Sequence, residues 1–153
     1  KEMCNRTGDD RAMENAADIV YRVNYPIAAQ QFIDLLSETS LDARRPLADA
    51  DRIAKMLEHA NLTVTAWQGE VLVGVARSVT DFTFCCYLSD LAVSEKVQKG
   101  GIGKGLIAET CRQLDAACRL ILVAAPLAEG YYPKIGMEHH HSAWTIKAGE
   151  FPA

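Results

Sequence analysis

A glycine-rich turn follows an apolar segment and leads directly into an amphipathic stretch, at Gly100-Gly101-Ile102-Gly103-Lys104-Gly105. A helix that begins there leaves about four backbone N–H groups without intrahelical partners, and its dipole places roughly half a positive charge at the same point. Phosphate oxygens accept hydrogen bonds from such groups and are attracted by that charge. Glycines leave the backbone uncovered and permit positive φ angles. We therefore expect the main chain of residues 99 to 104 to bind a phosphate.

Spacing separates this turn from two other phosphate-binding motifs. A Walker A loop requires G-x-x-x-x-G-K-[ST], but Gln98 stands in place of the first glycine and Gly105 in place of the hydroxyl residue. A dinucleotide fingerprint requires G-x-G-x-x-G directly after a strand, whereas Leu106 replaces the third glycine and a polar segment, 94–99, intervenes. Neither motif fits, and an NTP-binding protein would also need a magnesium ligand set that the sequence does not show.

Two separated blocks resemble the GCN5-related N-acetyltransferase (GNAT) family. The first is Gln98-Lys99-Gly100-Gly101-Ile102-Gly103, which matches the family's Q/R-x-x-G-x-G/A motif for the acetyl-CoA pyrophosphate. The second is Gly130-Tyr131-Tyr132-Pro133-Lys134-Ile135-Gly136-Met137, which is similar to the family's FYEKLGF segment. Ahead of the first block, Leu88-Ser89-Asp90-Leu91-Ala92-Val93 resembles the fourth strand. The resemblance covers residues 62 to 137, and the earlier residues match only in pattern.

This resemblance implies an α/β GNAT fold, with a mixed central sheet of about six to seven strands, about four helices and splayed parallel strands 4 and 5. Acetyl-CoA would enter the gap between those two strands as cosubstrate. Its pantetheine arm would pair with the main chain of Leu91, Ala92 and Val93. Its pyrophosphate would bind the amides of residues 99 to 104, and the side chains of Gln98, Lys99 and Lys104 could add contacts.

Acetyl transfer to an amine requires a neutral nucleophile, stabilisation of the oxyanion and a proton for the thiolate. By resemblance Tyr132 is the candidate acid, because an unperturbed tyrosine keeps its proton at neutral pH. The oxyanion would accept a hydrogen bond from a backbone N–H near Val93. Asp90 and Glu95 are the nearest carboxylates by sequence, so Asp90 is a candidate base, with structural hydrogen bonding as the alternative role. Tyr131 is assigned to packing.

The chain departs from the family pattern at three positions. Pro133 replaces a common glutamate and Met137 a common phenylalanine, and neither change touches a catalytic role. Many relatives carry an asparagine after the fifth strand that contacts the pantetheine. This chain has Ala124-Ala125-Pro126-Leu127 there, so that hydrogen bond would have to come from elsewhere.

Length and composition limit the alternatives. The 153 residues fit a single domain over 1–153, with residues 1–17 disordered or extended. A hydrophobic content of 49%, 24% charged residues and a net charge of −4 indicate a globular protein and argue against nucleic acid as partner. The sequence predicts neither a membrane span nor a signal peptide, so we expect a cytoplasmic protein. The chain begins at Lys1, which leaves open whether sequence precedes it.

Cysteines and histidines do not indicate a metal or a disulfide framework. The five cysteines form an odd set without C-x-x-C pairs, and Cys111 and Cys118 share one apolar stripe, which favours core packing. Three consecutive histidines, 139–141, would alternate faces on a strand and could not converge on one ion. We therefore predict a polar strand or turn there and no metal site.

Periodicity predicts the order of elements that must position these residues. We expect strands at 19–24, 62–67, 71–79, 84–93, 120–125 and 139–147. We expect helices from Pro26, from Pro46 to about Ala60, from Ile102 over about 17 residues, and from about Leu127 to Ile135. The run 120–125 is almost wholly apolar, as in a strand that is buried on both faces. The loop 40–45, with adjacent Arg44 and Arg45, is by resemblance a candidate wall of the acceptor pocket.

The sequence therefore favours an acetyl-CoA-dependent N-acetyltransferase that acts by direct attack in a ternary complex. The alternative is a non-catalytic module of the same fold that binds or senses acyl-CoA. The acidic balance favours a cationic small-molecule amine, such as an arylalkylamine, polyamine or aminoglycoside. Protein lysines and N-terminal amines stay open as acceptors, and a homodimer is common in the family.

Overall fold

The computed structural model describes residues 18–152. The chain divides into two compact units, of which the first ends at Leu122 and the second begins at Val123. The prediction for residues 1–17 and the position of Cys4 lie outside the described residues. The expectation of a single domain stays a prediction.

The first unit is built on one five-stranded sheet with the order β1-β2-β3-β4-β5. Neighbouring strands are antiparallel from β1 to β4, and β5 then pairs with β4 in parallel. The sheet is therefore mixed, as the sequence predicted. Its strands are β1 (Ile19–Val23), β2 (Leu62–Gln68), β3 (Val71–Thr80), β4 (Cys85–Val93) and β5 (Arg119–Ile121).

Three α-helices accompany the sheet: α1 (Ala29–Ser37), α2 (Ala50–His59) and α3 (Ile102–Arg112). The first two begin a few residues after the prolines that predicted them. The Gln31 side chain accepts a hydrogen bond from the Ala28 N–H at 2.9 Å and caps α1. The Asp49 carboxylate accepts from the Arg52 N–H at 3.0 Å and caps α2. These side chains set the two helix starts.

The helices cover both faces of the sheet. Ile102 and Leu106 of α3 pack with apolar residues of the central strands, Ala76 among them, in one buried cluster. The next residue along β3, Arg77, reaches the Met56 carbonyl of α2 with its guanidinium. Because successive strand residues point to opposite faces, α3 and α2 lie on opposite sides of the sheet. The cluster on the α3 side comprises Leu62, Val64, Ala66, Val73, Ala76, Cys86, Leu88, Ile102 and Leu106.

The predicted sheet was too large. The described residues form five strands and three helices, not six to seven strands and four helices. The segment 139–147 is not a strand, and Trp144 within it is 93% exposed. An alternating sequence forms a strand only when a neighbouring strand supplies ladder hydrogen bonds, and no described strand pairs with this segment. The predicted helix from Leu127 gives only 3-10 turns at Pro126–Ala128 and Pro133–Ile135.

Two further elements are shorter than predicted. β5 has three residues, and Ile121 is 44% exposed, so the apolar run is not buried on both faces. Helix α3 has 11 residues and ends before Asp115. The Asp115 side chain accepts from the Ala117 N–H at 2.8 Å, while its own N–H donates to the Phe82 carbonyl. This local turn competes with the helix and ends it.

None of the helices described in residues 18–152 combines the length and the apolar character that crossing a membrane would require.

Candidate functional site

One edge of β4 carries hydrogen-bonding groups that no described strand uses. On one side β4 pairs with β3 along its length, from Cys86 to Val93. On the other side it pairs with β5 only from Cys85 to Tyr87. Since β5 ends at Ile121, opposite Tyr87, no described strand pairs with the remainder of β4 on this side. The parallel pairing of strands 4 and 5 is confirmed, and their splaying stays a prediction.

The direction of the free groups follows from the antiparallel ladder. The Ser94 N–H donates to the Val73 carbonyl at 2.8 Å, so Ser94 faces β3. Peptide groups alternate along a strand, so Ala92 also faces β3, whereas Leu91 and Val93 direct their N–H and C=O groups to the open edge. The Gln98 amide confirms this direction, because it donates to the Val93 carbonyl from that edge at 3.0 Å. Of the three predicted cofactor-binding residues of β4, two thus direct main-chain groups to the open edge.

Two residues of the glycine-rich turn have positive φ angles, and only one of them is a glycine. Lys99 has φ of +73°, and Gly101, with φ of +77°, is the N-cap of α3. The first helical hydrogen bond runs from the Gly105 N–H to the Gly101 carbonyl at 2.9 Å. No side chain caps this helix start. The amides of Ile102, Gly103 and Lys104 therefore have no partner within the helix and form a cluster of donors suited to an anion.

Close packing fixes the start of α3 on the sheet. A Cβ atom on Gly74 of β3 would lie 3.0 Å from a Leu106 methyl group and 3.3 Å from Ile102. A Cβ atom on Gly105 would overlap the Tyr21 hydroxyl of β1. Two glycines thus allow the first turn of α3 to approach the strands closely. The helix N-terminus, where the predicted pyrophosphate site lies, is therefore fixed against β3 and β1.

Asp90 lies in a buried ion cluster rather than at the open edge. Its side chain is 0% exposed, and each carboxylate oxygen accepts from a guanidinium, one from Arg45 Nε and one from Arg77 Nε. Arg45 also donates to the Ser89 carbonyl at 2.7 Å, and Arg77 to the Ser89 hydroxyl at 3.0 Å. Both carboxylate oxygens therefore face guanidinium groups on the α2 side of the sheet. The geometry therefore favours a structural role for Asp90, in which its ion pair with Arg45 attaches the connection between α1 and α2 to β4.

A second polar cluster joins helix α1 to the residue after β4. The Ser94 hydroxyl donates to Glu38 Oε2 at 2.9 Å, and Lys96 Nζ donates to Glu38 Oε1 at 2.9 Å. Glu38 directly follows α1. Lys96 and Ser94 hold the pKa of the Glu38 carboxyl below its usual value by hydrogen bonding to the ionised form. Sequence reasoning missed Glu38, because 56 residues separate it from Ser94.

Tyr132 belongs to the second unit, where it begins a 3-10 turn that ends at Gly136. Its ring contacts that of Tyr131 edge-on, with 5.4 Å between the ring centres. Burial raises the pKa of Tyr132 above its usual value near 10, and the neighbouring Tyr131 raises it further. Gly136 has φ of +91°, which suits glycine at the end of this turn. The catalytic role of Tyr132 stays a prediction.

The structure therefore brings together the predicted residues of β4 and the glycine-rich turn within the first unit. Asp90 points to the α1–α2 face, and Glu95 is exposed in a short 3-10 turn. Sequence reasoning did not single out Arg77, which pairs with Asp90, or Glu38, which pairs with Ser94. The Arg44-Arg45 pair was noted only as a loop feature, although Arg45 reaches Asp90 across 45 residues of sequence.

Comparison with protein families agrees with this geometry. A family model described as an acetyltransferase (GNAT) domain matches residues 36–149, well over half of the chain. The chain belongs to the GNAT acetyltransferase family. Its enzyme class is therefore that of an N-acetyltransferase. No curated protein shows detectable similarity to this GNAT chain.

Solved structures share the fold at low sequence identity. A GNAT family acetyltransferase from Streptococcus pneumoniae is 20% identical, with a TM-score of 0.66, over 85% of this chain and 99% of that one. An aminoglycoside N-acetyltransferase in complex with CoA is 15% identical, with a TM-score of 0.64, over 88% and 97%. An aminoglycoside acetyltransferase from an uncultured soil sample, in complex with sisomicin, is 18% identical, with a TM-score of 0.58, over 84% and 97%.

Proposed function

We propose that this GNAT protein transfers an acetyl group from acetyl-CoA directly to a primary amine in a ternary complex. The observation that carries this proposal is the open edge of β4, which continues through Ser94 into a glycine-rich turn and an uncapped helix start. A ligand with amide groups next to a diphosphate matches that succession of donors and acceptors. Acetyl-CoA has this composition, and the family uses it.

The main chain supplies the binding groups. The diphosphate accepts hydrogen bonds from the amides of Ile102, Gly103 and Lys104, in the field of the α3 dipole. The Lys99 and Lys104 side chains, both exposed, add positive charge beside it. The pantetheine amides pair with the outward N–H and C=O groups of Leu91 and Val93, as an added strand would. Gln98 leaves the second lone pair of the Val93 carbonyl available.

The transfer then proceeds without a covalent carrier. A neutral amine nitrogen attacks the thioester carbon, so that the C–N bond forms and the carbonyl oxygen becomes an oxyanion. The outward N–H of Val93 is the donor that we propose for this oxyanion. When the intermediate collapses, the C–S bond breaks and the electron pair leaves with the sulfur. The nitrogen loses its proton to solvent, and the thiolate must gain one.

We propose that Tyr132 donates that proton. Its raised pKa keeps the phenol protonated throughout the neutral range, which an acid requires. Support for this role comes from the position of Tyr132 in the Gly130–Met137 block that resembles the family. Asp90 is not proposed as the base, because its carboxylate is buried between two guanidiniums.

A cationic small-molecule amine is the acceptor class that we propose. The net charge of −4 favours the approach of cations over anions. Two structural neighbours are named as aminoglycoside acetyltransferases, which supports the same class. We also propose a reducing, cytoplasmic setting, because all four cysteines in the described part of the chain are free thiols. A homodimer is a proposal from the family resemblance alone.

The decisive experiment measures CoA release from acetyl-CoA with a panel of primary amines, namely tyramine, spermidine and an aminoglycoside. The unmodified protein should release CoA with at least one of them. Tyr132→Phe should lower kcat roughly hundredfold, with acetyl-CoA binding kept, because it removes only the proton donor. Tyr25→Phe, which alters an exposed tyrosine beyond β1, serves as the matched control and should match the unmodified protein. CoA binding without release on any amine would instead identify a non-catalytic module.

A further inference from the structure

The Glu38 carboxylate is hydrogen-bonded to the residue that follows Val93, whose N–H is the proposed oxyanion donor. Ser94, whose hydroxyl donates to Glu38 Oε2, is only 4% exposed and directly follows Val93. Ser94 also donates its N–H to β3, so its position is set by the sheet. Glu38 is thus anchored at the end of β4 by a residue that cannot easily move. One oxygen of its carboxylate is held from inside the protein.

The other carboxylate oxygen accepts from a primary ammonium group. Lys96 Nζ lies 2.9 Å from Glu38 Oε1, with the lysine side chain 77% exposed and the glutamate side chain 39% exposed. Exposed ion pairs of this kind contribute little to stability, so another cation can replace Lys96 at small cost. The ammonium group of Lys96 has the same chemistry as the ammonium group of a primary amine acceptor.

We propose that Glu38 binds a protonated, non-reacting nitrogen of the acceptor, and that Lys96 Nζ occupies this position only when the acceptor is absent. The inference rests on the proposed N-acetyltransferase function. It assigns Glu38 as the residue that recognises the positive charge of the acceptor. Lys96 acts as an internal competitor. Acceptors with a second amino group should be favoured, because the attacking nitrogen must be neutral while the second nitrogen, still protonated, replaces Lys96 on Glu38. Amines that carry a phosphate should be poor acceptors.

Two variants distinguish this role from a structural ion pair. Glu38→Gln keeps the shape of the side chain but removes its charge, and it should raise KM for the amine roughly tenfold. Lys96→Met removes the competitor and should lower the same KM by roughly threefold or more. A purely structural ion pair would instead be lost equally in both variants, so both would shift KM in the same direction. Opposite shifts are therefore the signature of an acceptor site.

The controls separate this inference from the proposed function. Glu58→Gln and Lys55→Met alter exposed charges of the same types on α2 and should leave both KM values within about twofold. KM for acetyl-CoA should likewise stay within about twofold in all four variants. Shifts of the same sign in Glu38→Gln and Lys96→Met, or unchanged amine KM in both, would overturn the inference but leave the enzyme assignment intact. An unmodified protein that binds CoA but acetylates no amine would overturn both.

Discussion

At the scale of single residues, the role of a side chain depends more on its surroundings in the fold than on its residue type. Asp90 stands on the strand before the glycine-rich turn, where a general base would be expected by sequence position. In the fold it is fully buried and accepts from Arg45 and Arg77. Because Arg45 precedes α2 and Arg77 contacts the Met56 carbonyl within α2, this carboxylate connects the helical layer to β4. The residue stabilises the site without needing to touch the substrate.

Replacing Asp90 by asparagine should therefore destabilise the protein. The Asp90→Asn variant leaves two guanidiniums near the strand without their counter-ion, which should lower the free energy of unfolding by about 3–5 kcal/mol. Denaturant unfolding at neutral pH measures this change. Glu95→Gln, at an exposed carboxylate five residues on, should change stability by less than about 0.5 kcal/mol. Unchanged stability in Asp90→Asn, together with loss of amine acetylation by that variant, would restore Asp90 as the candidate base.

Sequence reasoning found the residues that act locally and missed those that act across the fold. The glycines at 100, 101 and 103 could be recognised because their spacing alone determines the turn. Glu38 and Arg45 could not, because each meets its partner across 45 or more residues of sequence. A charged side chain on a helix end or loop is usually solvated, and only the tertiary fold shows its partner.

At the scale of elements, the start of α3 is the feature on which the proposed CoA binding depends. Gly101 caps the helix with a left-handed backbone, which costs residues with a Cβ atom about 1–2 kcal/mol. A Cβ atom there would meet nothing within 4 Å, so the strain would be confined to the backbone. A change at this position should therefore move the amides of the turn without disturbing the core.

The Gly101→Ala variant should fold but bind CoA more weakly. We expect its Kd for CoA to rise roughly tenfold, because the altered backbone turns the donors of residues 102 to 104 away from the diphosphate. Calorimetric titration gives this value. The control is Gly149→Ala, since Gly149 has no positive φ and no neighbour within 4 Å of an added Cβ. Equal CoA affinity in Gly101→Ala and Gly149→Ala would contradict the assigned role of the turn.

The connection between β3 and β4 depends on one carboxylate. Asp81 Oδ1 accepts from the N–H groups of Thr83, Phe84 and Cys85 at 3.0, 2.8 and 3.0 Å. The hydrogen bond from Phe84 is the largest of the effects that lower the pKa of Asp81 from 3.8 to about 2. A depressed pKa means that folding favours the ionised form, so this stabilisation is complete above the unfolded pKa.

This stabilisation should be lost as the pH falls from about 4 to about 2. The Asp81→Asn variant keeps an acceptor oxygen but cannot titrate, so it lacks this pH-dependent contribution. The stability of the unmodified protein relative to the variant should therefore shrink over that interval. Denaturant midpoints of both proteins at pH 5 and near pH 2.5 provide the measurement. A stability difference that stays constant with pH would show that Asp81 does not stabilise the turn as an ion.

The elements themselves were predicted unevenly, for a physical reason. Strands β1 to β4 and helices α1 and α2 exist where periodicity placed them, within a few residues, and α3 begins at the predicted residue but is shorter than predicted. The segments after Ile121 were overpredicted, because their apolar or alternating sequence suggests strands that have no described ladder partner. Strand formation depends on neighbours that can lie far away in sequence, whereas helices and hairpins are set locally.

At the scale of the whole molecule, charge and sheet topology act on different ligands. The net charge of −4 opposes a polyanionic ligand at long range, so the affinity for CoA must come from local amides and the lysines at 99 and 104. The same charge favours a cationic acceptor. The mixed sheet provides the open edge, because its one parallel pair stops at Tyr87. Family membership and the open edge of β4 therefore support acetyl-CoA as one substrate, and the cationic acceptor stays a proposal.

The central claim is that peptide groups of residues 99 to 104 bind the diphosphate of CoA at the end of β4. Calorimetric titration of the folded protein with CoA and, separately, with pantetheine tests it most directly, because pantetheine has the same thiol arm without the diphosphate. We predict saturable binding of one CoA per chain. The affinity for pantetheine should be lower than that for CoA by a factor of roughly one hundred or more. Absence of CoA binding, or equal affinity for the two ligands, would contradict the account.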